Sequence, residues 1–499
     1  MNLRLIAPAL LVCLTGPCLA TEPLQTLHWS VNHETWSLPE GERMGMVGGH
    51  VMADMGSGLA LGMASYGAVR GERGGFITLG PQAQMRWPLS GQTDLMAGLF
   101  VGAGGGRNGV SLAGGGLMLR SHLGMEYQIA PAHRLGLGLS HVRFPDGRIQ
   151  STQPFVSYSY SLGSQLYGGW PEARSLPART DTAAVFTEQE LAVTGHHYRF
   201  NSGTMRSDGQ SPQHPRMQLA GVQWTGYVDP HWFVQVGTDG ALGGQSAGYM
   251  QILAGLGYRL PLSNHHAIKL HGRIGPAGGG DTDTGGGTLT DVGLSWQWRA
   301  LRHQSIELSL SDVRAPSASF HATSLGLKLV HHLQDATPGA EALDMQRLRW
   351  RLAQQTYLAR GTTWRNSHND TPVNNLGIQL DYLLSPSTAE RQWFLTGQGL
   401  AAYHGEAGAY MTGLLGAGVH QHLSGPWSAE LEALVGAAGG GGLRTGGGLV
   451  GQINAGLGYQ FTPQFGLLLS AGRLQAARDS LRVNTVGIAA VYRFSRATR

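Results

Sequence analysis

Between Leu449 and Phe461 the chain alternates without interruption. Leu449, Gly451, Ile453, Ala455, Leu457, Tyr459 and Phe461 fall on one side, and Gln452, Asn454, Gly456, Gly458 and Gln460 on the other. Period two, with small or polar residues on one face and an apolar, aromatic-tipped row on the other, predicts a membrane-spanning β-strand. The same pattern predicts eight strands in this part of the chain, near 347–359, 373–384, 391–404, 408–423, 427–440, 447–461, 465–477 and 483–494. Eight more are predicted between 187 and 333, and another eight between 26 and 163, for a total of 24.

The three sets are copies of one unit. An aromatic residue precedes a Leu-Ser pair at the same spacing at Phe76/Leu89-Ser90, Tyr249/Leu262-Ser263 and Tyr410/Leu423-Ser424. Paired glycine clusters follow: Gly104, Gly105 and Gly106 with Gly114 to Gly116; Gly278, Gly279 and Gly280 with Gly285 to Gly287; Gly439, Gly440 and Gly441 to Gly442 with Gly446 to Gly448. A unit of about 160–170 residues is too long for a solenoid or propeller repeat, so each copy is expected to be a structural unit of its own. The glycine clusters are expected at the tips of the fifth and sixth strands. There, glycine lets a strongly coiled hairpin bend; the same bare backbone could approach a sugar, lipid or peptide, or form an anion nest. The bend is the favoured reading.

Composition narrows the setting. The chain is 41% hydrophobic and only 13% charged, against about 25% charged in a soluble domain. Its only lysines are Lys269 and Lys328. Residues 1–20 read as a secretory signal, with Arg4, an apolar run from Leu5 to Leu14 and a small-residue cleavage site at Ala20. Both cysteines, Cys13 and Cys18, fall inside it, so no disulfide is expected in the exported protein. No later run of eighteen apolar residues predicts a membrane helix. The net charge is +4 without a basic run, and nucleic acid binding has no support. No cofactor is implied.

Turn lengths alternate as a meander requires. With the amino terminus on the periplasmic side, Ala130-Pro131-Ala132, Asp229-Pro230 and Thr462-Pro463-Gln464 are short inner turns, whereas Asn201 to Pro215 and Gly361 to Pro372 face outward. Expected divisions are 21–163, 187–333 and 347–499 for the repeats, with linkers at 164–186 and 334–346. Over this whole length the chain resembles Gram-negative outer-membrane β-barrels as a class, without matching one family. The strand Val483 to Phe494, ending Tyr492-Arg493-Phe494, is similar to the terminal strand read by barrel-insertion machinery, but departs from it because Ser495 to Arg499 follow. The resemblance implies an outer-membrane location in contact with lipid.

Twenty-four strands can close as one wide ring or as three rings of eight. Eight strands leave an interior filled by side chains, whereas wider rings leave water. In the second copy, strand one carries Glu188 and Glu190 on the inward face and strand five carries Lys269, His271 and Arg273. The third copy exchanges the signs: Arg347, Arg349 and Arg351 on strand one, Glu430 and Glu432 on strand five. The first offers His28 against Asp94. Strands one and five are diametrically opposite in a ring of eight, where an unpaired charge is costly. Three tandem eight-stranded barrels are therefore favoured, with a single 24-stranded barrel as the alternative and a non-membrane β architecture behind both.

Candidate chemistry is sparse. His196-His197, His265-His266 and His331-His332 are adjacent pairs that point to opposite faces of a strand; His420 and His422 share a face but lack a third ligand. Ser140, His141 and Asp146 could suggest lipid-ester hydrolysis, yet neighbouring strand residues face apart. Trp87, Tyr127, Trp224, Trp232, Tyr258, Trp296, Trp298, Trp393, Tyr459 and Tyr492 read as an interfacial girdle. The expectation is a non-enzymatic envelope or surface scaffold or assembly component, with an envelope or surface-polymer partner. A channel for a solute or secreted polymer is the alternative, and an outer-membrane hydrolase the weakest reading.

Overall fold

A computed structural model describes residues 23–24, 26–106, 109–162, 166–170, 186–333, 344–365, 371–384 and 389–498. The segment expected to be a signal lies outside the described residues, as do the greater parts of both linkers. Three closed antiparallel barrels of eight strands follow one another along the chain. The first contains Leu27–Ser37, Arg43–Gly56, Leu59–Arg70, Ile77–Pro88, Thr93–Gly105, Leu117–Ala130, His133–Arg143 and Gln150–Ser161. The second contains Glu188–Phe200, Arg216–Tyr227, Trp232–Gly243, Met250–Pro261, His266–Gly278, Thr288–Leu301, Gln304–Arg314 and His321–Leu333. The third contains Asp344–Leu358, Val373–Leu383, Arg391–His404, Met411–His422, Trp427–Gly439, Leu449–Gln460, Phe465–Ala476 and Arg482–Thr498.

Each barrel closes because its last strand pairs with its own first: His28 stands opposite Ser161, Gln189 opposite Leu333, and Leu348 opposite Phe494. The single 24-stranded ring does not form. Strands begin and end so that one end of each barrel carries the linkers and mostly short turns (the terminal end), and the other the longer hairpins (the loop end). Period-two alternation sends Leu137, Leu256 and Ile453 outward, 67%, 62% and 60% exposed; such exposure of large apolar side chains needs a lipid or protein partner. Aromatic pairs stand at the terminal end, Trp232 with Tyr258 at 5.2 Å and Trp427 with Tyr459 at 4.9 Å. No described helix is long and apolar enough to cross a membrane.

The linker expected at 164–186 is not all linker. Strand eight of the third barrel runs to Thr498, whereas strand seven starts at Phe465, opposite Tyr492. The overhang leaves an unpaired edge, a condition that proteins cover. Leu166–Gly168 pairs antiparallel with Phe494, Ser495 and Arg496, and Pro23–Leu24 pairs with Leu166–Gly168 in turn. Ser495 and the residues after it thus continue the closing strand. Trp170 follows, donating its Nε1–H to the Leu348 carbonyl (3.2 Å) with its ring packed against Arg493 (4.5 Å) and Arg347 (5.5 Å). A piece of chain between the first two barrels therefore covers the terminal mouth of the third.

Inside each barrel the side chains form two zones. An apolar plug lies toward the loop end: Trp36, Tyr66, Phe76 and Phe100 in the first, Tyr198, Met217, Tyr249 and Phe320 in the second, Tyr357, Trp364, Tyr410 and Leu443 in the third. The repeat's own aromatic residue, Phe76, Tyr249 or Tyr410, is buried in each plug. Polar and charged side chains fill the rest, from the terminal mouth up to Glu34 and Arg120 in the first barrel and Arg273 and Asp291 in the second.

Candidate functional site

In the second lumen Lys269, on strand five, reaches Glu190 on strand one across the barrel at 2.9 Å and Glu307 on strand seven at 2.9 Å. Lys328, on strand eight, holds the other oxygen of Glu307 at 2.8 Å. Tyr227 and Gln297 donate to Glu190 at 3.2 and 3.0 Å. Arg273 does not meet Glu188 or Glu190. It pairs with Asp291 on the adjacent strand and donates to Gln223 at 3.2 Å. Glu188 stands at the mouth instead, bound by Arg259 (2.7 Å), Arg299 (2.8 Å) and His332 (3.0 Å). Both lysines of the protein therefore belong to one buried ion network.

The third lumen carries the exchanged signs. Arg349 pairs with Glu430, and Arg351 reaches Glu430 at 3.1 Å and Glu432 at 3.2 Å. Asp381, on strand two, sits between the guanidinium groups at 3.0 and 2.6 Å. The strand-one to strand-five opposition is present here, but with Asp381 as a third partner. Arg347, nearest the mouth, lies under Trp170.

In the first lumen the expected facing of His28 and Asp94 is absent. Asp94 pairs with Arg134, while His28 lies beside Arg86 (3.3 Å), which binds Glu126 at 2.6 Å. The principal cross-lumen pair is Glu34 with Arg120 at 2.8 Å, supported by Ser140 and Trp36, both donating to Glu34 at 2.7 Å. Glu34, Arg120, Asp291, Glu307, Lys328 and Asp381 were missed from the sequence, although each sits on an inward position of its strand. Alternation alone could have found them; strand-to-strand register, which decides who meets whom, could not.

Buried charges are costly unless paired and hydrogen-bonded; here the cross-lumen pairs are all ion-paired, while Arg273 Nε and Arg351 Nη2 find no hydrogen-bond acceptor among the described residues. Side chains of the charge networks and plugs occupy each lumen, and two cavities border the third. An internal cavity of about 20 Å³ lies among Arg351, Gln379, Glu432 and Asn454, room for roughly one water. A larger one of about 320 Å³, bordered by Trp170, Gln392, His420 and Arg493, is confined to the terminal mouth.

The remaining candidates resolve into structure. Ser140 is buried in the lumen, accepting from Gln153 at 2.8 Å, whereas His141 faces outward with Thr152 at 2.7 Å, so the two do not form a nucleophile–base pair. His196 and His332 point inward while His197 and His331 point out. His420 is held by Glu430 at 2.8 Å. Glu188, Glu190 and His332 bring ligand atoms within 4.8 Å of one another, but Arg259 and Arg299 already occupy the Glu188 carboxylate, and a metal ion would have to displace them.

The glycine clusters do something that hairpin bending does not account for. Strand three of the first barrel meets strand five of the second, strand three of the second meets strand five of the third, and strand three of the third meets strand five of the first. A Cβ placed on Gly278, Gly439 or Gly105 would lie 2.5 Å from Gly75 N, 2.1 Å from Gly248 N and 2.9 Å from Ala409 N respectively. On Gly287, Gly448 or Gly116 it would lie 2.3 Å from Ala68 O, 2.1 Å from Ala241 O and 2.2 Å from Ala402 O. These are equivalent positions of the repeat in every case. Gly74 N also donates to Gly285 O across the first seam at 2.8 Å. Each barrel thus offers its strand-three tip to the glycines of the next, a head-to-tail contact that closes after three units. Gly104 and Gly106, and Gly279, Gly280, Gly440 and Gly441, crowd backbone within their own barrel, so both uses coexist. The close approach is to neighbouring barrel backbone rather than to a ligand.

No protein-family model and no curated protein matches the sequence. Among solved structures the chain is similar to the siderophore receptor PirA from Pseudomonas aeruginosa, at 10% identity over 95% of this chain and 81% of that one, with a TM-score of 0.27. It is similar to the ferric enterobactin receptor PfeA of the same organism at 8% identity, over 94% and 81%, with a TM-score of 0.30. To the outer membrane protein OpdK, again from Pseudomonas aeruginosa, the values are 9%, 95%, 99% and 0.25. The pairing of strands into three rings of eight is read from this chain itself.

Proposed function

We propose that this protein is an integral outer-membrane scaffold that acts without catalysis and without conducting, its terminal end in the periplasm and its loop end at the cell surface. The filled lumens carry this reading: every barrel holds buried paired charges together with an apolar plug toward the loop end. Closed antiparallel sheets with outward leucines and a terminal-end aromatic row are what a bilayer requires of a strand protein. The closing strand suits the barrel-insertion machinery, and the ring of three presents one rigid surface to an envelope or surface-polymer partner. A channel reading would need an open lumen, which eight strands do not provide when their inward faces carry large side chains. Hydrolysis would need Ser140 and His141 on one face.

Planar bilayers containing the folded full chain test this. The expected result is no steady current, from protein that floats with lipid vesicles and migrates differently before and after heating. Stable single-channel steps would overturn the scaffold reading in favour of transport, and a freely water-soluble protein would overturn the membrane reading.

A further inference from the structure

On the lipid-facing side of the loop end, arginines stand where no carboxylate answers them. Arg199, on strand one of the second barrel, is directly opposite Arg216 on strand two. Both are exposed, and among the described residues neither forms an ion pair. Like charges opposite each other on adjacent strands are destabilising. The next outward pair toward the bilayer is His197 and Gln218, whose side chains approach at 3.4 Å. The third barrel repeats the arrangement on strands seven and eight: Arg473 lies opposite Asn484, and Gln475 opposite Arg482, which sets the two guanidinium groups diagonally across one exposed patch. By contrast, the neighbouring Arg314 is already held by Asp312.

We propose that these two patches are binding sites for the phosphate of an anionic lipid in the leaflet that surrounds the loop end. Two guanidinium forks with an amide beside them match a phosphate's several acceptor oxygens. Their placement on strand faces, beside outward leucines rather than in the loops, puts them at headgroup depth with acyl chains below. The inference rests on the membrane reading above, and it names what that surface binds.

The test uses the full chain in phosphatidylcholine vesicles doped with spin-labelled phosphatidic acid or spin-labelled phosphatidylcholine, reading the motionally restricted lipid fraction. Phosphatidic acid is expected to associate severalfold more strongly, to lose that preference at high salt, and to lose most of it in Arg199→Gln/Arg216→Gln/Arg473→Gln/Arg482→Gln. Equal association of both lipids, or full preference in the quadruple variant, would overturn the proposal. Inorganic phosphate stabilising the detergent-solubilised protein as well as phosphatidic acid does would assign the patches to a soluble oxyanion instead and overturn the lipid assignment. Failure to float with plain phosphatidylcholine vesicles would fail the membrane reading, a separate outcome. Heat-modifiable migration checks that the variant folds, and Arg199→Gln/Arg216→Gln alone, expected to lose about half the preference, serves if the quadruple variant does not.

Discussion

Gly248 and Gly439 lie backbone against backbone across the seam between the second and third barrels. A methyl group on Gly439 would come within 2.1 Å of the Gly248 amide nitrogen, a distance that no side chain can relieve by rotating. The equivalent glycines of the other two seams meet the same kind of obstacle, so the three barrels are joined by what their sequence leaves out.

Gly439→Ala is therefore expected to destabilise the folded protein by about 1–3 kcal/mol, the usual range for overpacking. Gly413→Ala is the control, because nothing lies within 4 Å of its added methyl. Heat-modifiable gel mobility as a function of temperature distinguishes them. Equal transitions for both variants would remove the seam as a structural element.

Ala409 offers the opposite test. It holds φ +76°, at the position where Gly75 (+81°) and Gly248 (+89°) stand in the other repeats. A left-handed alanine costs about 1–2 kcal/mol, while glycine brings back about 0.4–1 kcal/mol of unfolded-state entropy. Ala409→Gly should thus raise stability by up to roughly 1 kcal/mol, measured by the same gel transition. A lowered transition would contradict it.

The third lumen answers to charge reversal in a way that alternation by itself would misjudge. Glu430→Arg should cost about 3–5 kcal/mol by leaving buried cations unpaired. Adding Arg349→Glu is expected to restore only part of this, because Asp381 sits 3.0 Å from the Arg349 guanidinium and would then face a second carboxylate. The further change Asp381→Asn should complete the rescue. Urea-dependent unfolding of the three variants orders them, and full rescue by the double variant would show that Asp381 is not a partner.

Lys269 and Lys328 are 3% and 2% exposed, and they are the chain's only lysines. An amine-reactive reagent should leave both unmodified in folded protein and label both after heating in detergent. Peptide mapping reads this directly. Modification of either lysine in the folded state would mean that the second lumen is open to solvent.

Period-two alternation determined the strands, their inward and outward faces and the repeat of eight, because a strand's facing depends only on residues two apart. It also put Lys269 opposite Glu190, and Arg349 and Arg351 opposite Glu430 and Glu432, on the same inward faces. Tertiary structure alone decided that Arg273 turns to Asp291 and that Glu34 rather than His28 spans the first lumen, since small differences in register between distant strands select the partner. It decided as well that Leu166–Gly168 caps the edge of the third barrel and that the glycine clusters press against another barrel's backbone. Those contacts join segments separated by the length of a repeat or more, and no local periodicity records them.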